Sequence, residues 1–306
     1  MRYEENAVQR IEDEIQNHGE NPKTWEKLLT RRETQIILTS QLALLVGCVQ
    51  RNLEGRIALR SVPPAVLQAQ SAAAFKEQKQ KNKISRNSKL NTALRRITNR
   101  LIKQAKINYS SQIKGFQWET VLFDDKKTVN AWAMPGGKMA IYSGILPVCS
   151  NEAGLAAVIG HEMGHVMNHH GNERVSQQLG VAAITALGAY AINKTSNLDK
   201  HVKNAIIAAA GAGISIGLLL PYSRKHEHEA DRMGLRLMAM SGYQPSEAPK
   251  IWQRMENKYG RSKVPSYLST HPSNSDRRSK LNSQLPEMQQ FYQKAPTQFG
   301  TGTSFS

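Results

Sequence analysis

The sequence is poor in cysteine and in acidic residues. Cys48 and Cys149 are its two cysteines, so a disulfide framework of the kind that staples small secreted domains is excluded. Its 306 residues contain 24 aspartates and glutamates against 41 lysines and arginines, a formal net charge of +17. Such a balance favours anionic partners, either phospholipid head groups or nucleic acid.

The sequence signatures of a nucleic-acid-binding protein are missing. There is no zinc-finger spacing, no credible helix-turn-helix and no basic strand interleaved with aromatic residues. Much of the positive charge lies between Lys76 and Lys106, where Glu77 is the single acid. We therefore expect no nucleic-acid partner, and we interpret this segment as a solvated basic face or as a surface for a membrane.

The segment that ends at Cys48 has the order of a bacterial export signal. An arginine pair at 31–32 precedes a short apolar run at 36–46, and the sequence LVGC (45–48) matches a lipobox. The run is too short to span a bilayer as a helix. Because signal peptides do not carry the polar lead seen here, we expect the true start near Leu28 or Leu29. We predict a lipid-modified Cys48, with a chance apolar helix as the alternative.

Composition and periodicity divide the chain into four predicted segments. They are an extension with its signal (1–48), a basic linker or helical segment (49–89), a main domain (90–285) and a helix end with a disordered tail (286–306). Apolar residues at steps of three and four predict a helix from Leu90. The alternating segment 116–123 predicts a strand, and 128–134 and 138–144 flank a Pro-Gly-Gly turn as a hairpin.

Helices dominate the second half of the chain. Asn151 is expected to cap a helix that stops near Gly171. Two apolar stretches rich in alanine and glycine, 179–192 and 205–221, are expected to form a buried helical hairpin rather than one that dips into a membrane. The whole pattern predicts an α+β fold that is mostly helical.

The sequence HEMGH (161–165) is the strongest chemical signal in the chain. His161 and His165 lie one turn apart on one helical face, where two imidazoles can converge on a zinc ion. Glu162 can reach a water bound there, which is the place of a general base. Metallopeptidases of the astacin and collagenase type need a glycine and a histidine where this chain has Asn168 and Gly171, so that class is excluded.

A carboxylate on a second helix is the better candidate for the third ligand. Glu227 and Asp231 are also four residues apart, so one can bind the metal while the other accepts a hydrogen bond from a ligand histidine. Glu229 is a rival for Glu227, but no carboxylate follows it four residues later. His169 and His170 are expected to be solvated or to support the site without binding the metal, and His226 and His228, which lie off the ligand stripe, are expected to be uninvolved.

These motifs resemble the HtpX/CAAX-prenyl-protease-type family of zinc metallopeptidases, and above all its bacterial envelope branch and mitochondrial inner-membrane relatives. Besides HEMGH, the similarity includes VNAWAMPGGKMAIYSGIL (129–146), LPYSRKHEHEADRMGL (220–235) and LSTHPSNSDRR (268–278). It covers roughly residues 90–285, which the resemblance makes a zinc metallopeptidase domain with a zincin-like fold, a small sheet or hairpin and an active-site helix.

The resemblance implies a role for each matching residue of this chain. One Zn²⁺ per chain would be bound by His161, His165 and Glu227. Glu162 would be the catalytic carboxylate and Asp231 would support a ligand. His271 and Arg277 would lie near the cleft and aid the oxyanion or a nearby carboxylate, unless they only begin a helix after Pro272. His271 would alternatively occupy the open position of zinc in a latent form.

The function that these residues imply is zinc-dependent hydrolysis of peptide bonds. We expect polypeptide substrates, namely misfolded or misassembled proteins of the cell envelope, and a place on the periplasmic side anchored through Cys48. A soluble periplasmic protein and a mitochondrial inner-membrane protein are the alternatives for location. A zinc-bound chaperone or assembly factor is the alternative function. No convincing set of spanning helices is found, so prenylated substrates are not expected.

Overall fold

The computed structural model describes four parts of the chain: 49–180, 222–259, 265–271 and 275–305. Cys48 and the apolar stretch at 205–221 lie outside the described residues, as does nearly all of the stretch at 179–192. The predicted lipidation and the predicted helical hairpin therefore stay predictions. Within the described parts, no helix is long and apolar enough to cross a membrane.

The N-terminal part contains a two-stranded sheet and two long helices. Strands β1 (Val49–Arg51) and β2 (Ile57–Leu59) pair with each other, and α1 (Pro64–Lys81) follows. Much of the predicted linker is thus helical. Helix α2 (Ser88–Asn108) begins where the Asn87 side chain accepts a hydrogen bond from the Leu90 amide. Its apolar stripe is buried as the spacing predicts, at Leu94, Ile97, Leu101 and Ala105.

A three-stranded sheet packs beside these helices. Strands β3 (Glu119–Phe123), β4 (Ala131–Met134) and β5 (Lys138–Tyr142) lie in the order β3-β5-β4. Strand β5 runs antiparallel to β4, as the predicted hairpin requires, and parallel to β3. Strand β4 therefore lies at an edge of this sheet, and it contacts the long buried helix that follows.

That helix, α4 (Glu152–Met167), follows the short helix α3 (Leu146–Cys149) and is buried along its whole length. As predicted, the Asn151 side chain caps it by accepting a hydrogen bond from the Gly154 amide. The predicted stop near Gly171 is wrong. Helix α4 ends at Met167, because His169 adopts a left-handed conformation with φ of 59°, and residues 170–180 then form a new helix.

Four more helices complete the described fold. They are α5 (Arg224–Met240), α6 (Glu247–Tyr259), α7 (Ser266–Thr270) and α8 (Ser275–Gln293). Helix α4 packs against α5, α6 and α2, and one apolar core joins these helices to the sheet. The fold is mostly helical with a small sheet, as the sequence predicts.

Helices α4 and α5 approach each other backbone to backbone, and glycines make this possible. A Cβ atom at Gly234 would lie 2.5 Å from the backbone nitrogen of His161, and one at Gly164 would lie 2.6 Å from the carbonyl oxygen of Ala230. A Cβ at Gly160 would lie 2.8 Å from the carbonyl oxygen of Gly234. Any larger residue at these positions forces the two helices apart.

The expected disorder of the C-terminal tail is wrong for residues 299–305. The carbonyl oxygens of Thr301 and Thr303 accept hydrogen bonds from the amides of Ala153 and Glu152. These amides belong to the first turn of α4. Amides in the first turn of a helix have no acceptor within their own helix. The tail is ordered because it supplies acceptors to these amides, although its composition resembles that of a disordered segment.

We expect Gly234→Ala to lower the free energy of unfolding by about 1–3 kcal/mol, the usual cost of overpacking. Chemical denaturation followed by circular dichroism measures this change. The control is Gly180→Ala, where an added Cβ meets nothing within 4 Å. That variant should be at least as stable as the wild type, because alanine favours a helix over glycine. Equal stability of the two variants would contradict the close approach of α4 and α5.

We expect deletion of residues 299–306 to lower the free energy of unfolding by about 2–4 kcal/mol. Several backbone hydrogen bonds are lost, and each contributes about 1 kcal/mol net. The control is the double variant Thr301→Ala and Thr303→Ala, which keeps the carbonyl groups and removes only exposed side chains. A deletion as stable as this control would show that the tail does not cap α4.

Candidate metal centre

Helices α4 and α5 bring three ionisable side chains to one buried point. His161 and His165 lie on α4 with their Nε2 atoms 3.0 Å apart. Glu227 on α5 places its carboxylate oxygens 3.5 Å from the Nε2 of His161 and 3.3 Å from the Nε2 of His165. With His271, these residues offer ligand atoms that all lie within 4.8 Å of one another. The cluster has the composition and spacing of a site for a metal ion.

His271 follows α7 and faces the same point. Its Nδ1 lies 3.2 Å from the Nε2 of His161 and 3.1 Å from a carboxylate oxygen of Glu227. Its other ring nitrogen, Nε2, lies 3.4 Å from a carboxylate oxygen of Glu162. His271 therefore connects the three converging side chains with the carboxylate that follows the first histidine.

Asp231 and Arg277 support the cluster from the side of His161. The Nδ1 of His161 lies 2.8 Å from a carboxylate oxygen of Asp231. Arg277 donates to both oxygens of Asp231, at 2.8 and 2.7 Å, and its Nη1 lies 2.5 Å from Glu227. The guanidinium group is 2% exposed, so its charge acts on both carboxylates with little screening by water.

The protonation states of the cluster suit metal binding. Burial lowers the pKa of His165 well below its usual range, which keeps the imidazole neutral. Burial opposes ionisation of Glu227, but the charge of Arg277 and the neighbouring histidines outweigh it, so the pKa of Glu227 lies well below its usual range. Burial also opposes protonation of His161, but Asp231 and Glu227 outweigh it and raise its pKa, so a metal ion would compete with a proton there.

Glu162 differs from the other carboxylates of the centre. Burial raises its pKa, and His271 and His161 only partly offset this effect. The neighbouring hydroxyl group of Tyr267 also lowers the pKa of Glu162 and acts in the same direction as the two histidines. A carboxylate with a raised pKa binds a proton more readily than an exposed one, which suits a group that accepts a proton and later returns it.

A second polar cluster lies behind His165. The Nδ1 atoms of His165 and His170 are 2.9 Å apart, and the Nε2 of His170 lies 2.8 Å from Glu229. The Nε2 of His226 lies 3.0 Å from Glu173. His170, Glu173 and His226 also offer ligand atoms within 4.8 Å of one another.

The structure brings together seven of the eight residues singled out from the sequence. They are His161, Glu162, His165, Glu227, Asp231, His271 and Arg277. Cys48, the eighth, lies outside the described residues. Glu229 does not join the ligand cluster but binds His170. The expected solvation of His170 is wrong, since it is fully buried, whereas its alternative supporting place beside His165 is what the structure has.

Two tyrosines of the centre were not found from the sequence. The ring of Tyr222 stacks on His165 with centroids 3.7 Å apart, and the guanidinium of Arg174 lies 3.8 Å from the Tyr222 centroid. Tyr267 packs against His271 with centroids 4.6 Å apart. Tyr267 precedes His271 by four residues, a helical spacing that could have indicated it. Nothing in the sequence distinguishes Tyr222 from an ordinary core tyrosine.

Comparison with known proteins agrees with this geometry. The chain is 37% identical over 180 residues to the mitochondrial metalloendopeptidase OMA1 of Schizosaccharomyces pombe, which covers 58% of this chain and 50% of that protein. It is 34% identical to OMA1 of Saccharomyces cerevisiae, over 61% of this chain and 52% of that protein. It is 29% identical to the beta-barrel assembly-enhancing protease of Yersinia pestis, over 52% of this chain and 33% of that protein.

The chain thus spans about half the length of its two fungal relatives and a third of the bacterial one. A family model described as peptidase family M48 matches residues 88–285. That range includes α2, the three-stranded sheet and every residue of the ligand cluster. The chain therefore belongs to peptidase family M48.

Proposed function

We propose that this protein is a zinc-dependent endopeptidase. The observation that carries the proposal is the convergence of His161, His165 and Glu227, with Glu162 beside them, in a chain that belongs to a peptidase family. Two imidazoles and one carboxylate are the protein ligands of a whole class of catalytic zinc sites.

The distances within the cluster fit a zinc ion. Zinc binds nitrogen and oxygen at about 2.0–2.1 Å, and two ligands at a tetrahedral angle are therefore about 3.3 Å apart. The three separations among the Nε2 atoms of His161 and His165 and the Glu227 oxygens are 3.0, 3.5 and 3.3 Å. Three protein ligands leave a fourth position for water, which a hydrolase needs.

The residues of this chain divide the proposed reaction among them. Zinc, when bound, supplies a Lewis acid that acidifies water and polarises the scissile carbonyl group. Glu162 takes the proton of the attacking water and returns it to the leaving amine. Asp231 accepts a hydrogen bond from Nδ1 of His161, so that Nε2 is free to bind the metal. We assign Arg277 to the carboxylates rather than to the oxyanion, since it contacts Glu227 and Asp231.

We propose that the substrate binds as an extended strand beside β4. Within the described residues, β4 pairs with β5 on one side only, so its other edge offers backbone groups to an extended polypeptide. An apolar pocket adjoins His165 between β4 and α1, and its lining includes Ala133, Pro135, Leu67, Phe116 and Tyr222. Backbone pairing and one apolar pocket place few demands on the side chains of the substrate. Such weak sequence preference suits a protease whose substrates are misfolded or misassembled proteins.

We propose the cell envelope as the place of action, on the periplasmic side and at a membrane surface reached through a lipidated Cys48. The similarity to a bacterial beta-barrel assembly-enhancing protease supports this location, and the similarity to mitochondrial metalloendopeptidases supports a mitochondrial one. A basic face supports contact with anionic phospholipids, each exposed cation contributing about 1 kcal/mol at such a surface. Its exposed cations on α1, α2 and their connection are Lys76, Lys81, Lys83, Arg86, Lys89, Arg95, Lys103 and Lys106.

We expect Glu162→Gln to lower the rate of casein digestion by about 10²–10⁴-fold, the usual effect of removing a general base. Zinc content should stay at one ion per chain, as measured by elemental analysis. The wild-type protein treated with a chelator is the control for metal dependence. Casein digestion at the wild-type rate would contradict the role of Glu162. A wild type that binds unfolded clients but never cleaves them would favour the zinc-bound chaperone instead.

In a latent resting form, His271 takes the fourth position of zinc in place of water, because its Nδ1 faces the ligand cluster. For that form we expect His271→Ala to remove one nitrogen from the coordination shell of zinc. X-ray absorption at the zinc edge measures this change. The control is His228→Ala, which removes a partly buried histidine that pairs with Asp276 outside the cluster. An unchanged shell in His271→Ala would show that His271 does not occupy the fourth position.

A further inference from the structure

The two proposed histidine ligands have different hydrogen-bond partners at Nδ1, the ring nitrogen that faces away from the ligand cluster. His161 turns its Nδ1 to a carboxylate, that of Asp231. His165 turns its Nδ1 to another imidazole, that of His170, at 2.9 Å. A hydrogen bond between two imidazole nitrogens needs a proton on one of them and none on the other. The tautomer of His165 is therefore tied to the tautomer of His170.

The left-handed residue after α4 makes this contact possible. On an uninterrupted helix, residues five positions apart point about 140° away from each other, as follows from 3.6 residues per turn. His169, with φ of 59°, breaks the helix, and the chain restarts at His170 in a new direction. The break returns the ring of His170 to the back of His165.

The far nitrogen of His170 is fixed by an ionised carboxylate. Nε2 of His170 lies 2.8 Å from Glu229. Arg56 donates to Glu229 through Nε at 2.6 Å and through Nη2 at 3.0 Å, and Asn52 donates to it at 2.7 Å. These three hydrogen bonds end on the two carboxylate oxygens of Glu229, and the contact with the guanidinium group favours the ionised carboxylate. Glu229 can therefore only accept a hydrogen bond.

The positions of the protons follow step by step. Because Glu229 only accepts, His170 carries its proton on Nε2. A neutral His170 with its proton on Nε2 has a bare Nδ1, and this fully buried ring lies with its Nδ1 2.9 Å from Nδ1 of His165, so it accepts a hydrogen bond from His165. His165 then holds its proton on Nδ1, and its Nε2 is bare and faces Glu227 and His161. This is the tautomer that a metal requires of His165.

A second metal ion on His170, Glu173 and His226 is a weaker explanation of the same cluster. The guanidinium of Arg56 already contacts Glu173 at 2.8 Å and Glu229 at 2.6 Å. A cation placed between these carboxylates would meet that positive charge at close range. Nδ1 of His170 is also engaged by His165. The cluster is neutralised by an arginine and needs no metal.

We propose that His170 is a positioning residue for the metal, set by Glu229 and Arg56. It holds His165 in the tautomer and orientation that leave Nε2 free for the ion. The inference rests on the proposed zinc site, and it adds the chain His165–His170–Glu229–Arg56 to that site. Removal of such a supporting partner typically lowers metal affinity by about 10–100-fold.

The test compares three replacements of His170 in the full chain by competition for zinc with a chromophoric chelator. His170→Ala removes both nitrogens and should weaken zinc binding by about 10–100-fold. His170→Asn places an amide oxygen near the position of Nδ1, where it accepts the proton of His165, and should recover most of the affinity. His170→Gln places its amide near Nε2, next to Glu229, and should stay weak. Urea unfolding of the metal-free variants shows whether each one folds.

The control is His169→Asn. Asparagine tolerates the left-handed conformation of residue 169, and the ring that is removed packs against Phe116 and not against His165. It should bind zinc as tightly as the wild type. Wild-type affinity in all three His170 variants would overturn the inference, and so would equal weakness of the Asn and Gln variants, because simple packing predicts the latter. A wild type without zinc would instead overturn the proposed function, and His165→Ala provides the reference for a lost ligand.

Discussion

The close contact between α4 and α5 is the constraint on which the rest of the site depends. A proposed ligand pair lies on one helix and the third proposed ligand on the other, so the distance between helix axes decides whether the three can share an ion. Gly164 and Gly234 allow backbone contact where any side chain would collide with the opposite helix. Glycine costs a helix about 1 kcal/mol relative to alanine, and at these positions it permits the close approach that brings His161 and Glu227 together.

Buried charge is the second constraint, because α4 and α5 carry ionisable groups into a nearly dry interior. Removing one partner of a buried ion pair costs about 3–5 kcal/mol, since an uncompensated charge remains. Two arginines supply positive charge to the buried carboxylates. Arg277 neutralises Glu227 and Asp231, and Arg56 neutralises Glu229 and Glu173. Each proposed histidine ligand is thus supported by a partner whose own charge or tautomer is fixed by an arginine.

Local periodicity and spacing were enough to predict much of this arrangement. The helix from Leu90, the hairpin and the Asn151 cap depend on residues close together in sequence, and so does the pairing of His161 with His165. The place of His170 was not predictable in the same way. Its contact depends on a left-handed residue at 169, and histidine gives little sign of that conformation. The order of the tail likewise depends on amide donors of α4 that lie about 150 positions earlier in the sequence.

The segment that precedes residue 88 contributes to the proposed site. The match begins at residue 88, whereas Asn52, Arg56 and α1 precede it. Arg56 neutralises the carboxylate that orients His170, and α1 contributes Leu67 to the pocket beside His165. A chain cut at the start of the matched domain would retain every proposed ligand, yet it would leave Glu229 and Glu173 without their cation. The proposed metal centre is complete only when the residues before the matched domain fold onto it.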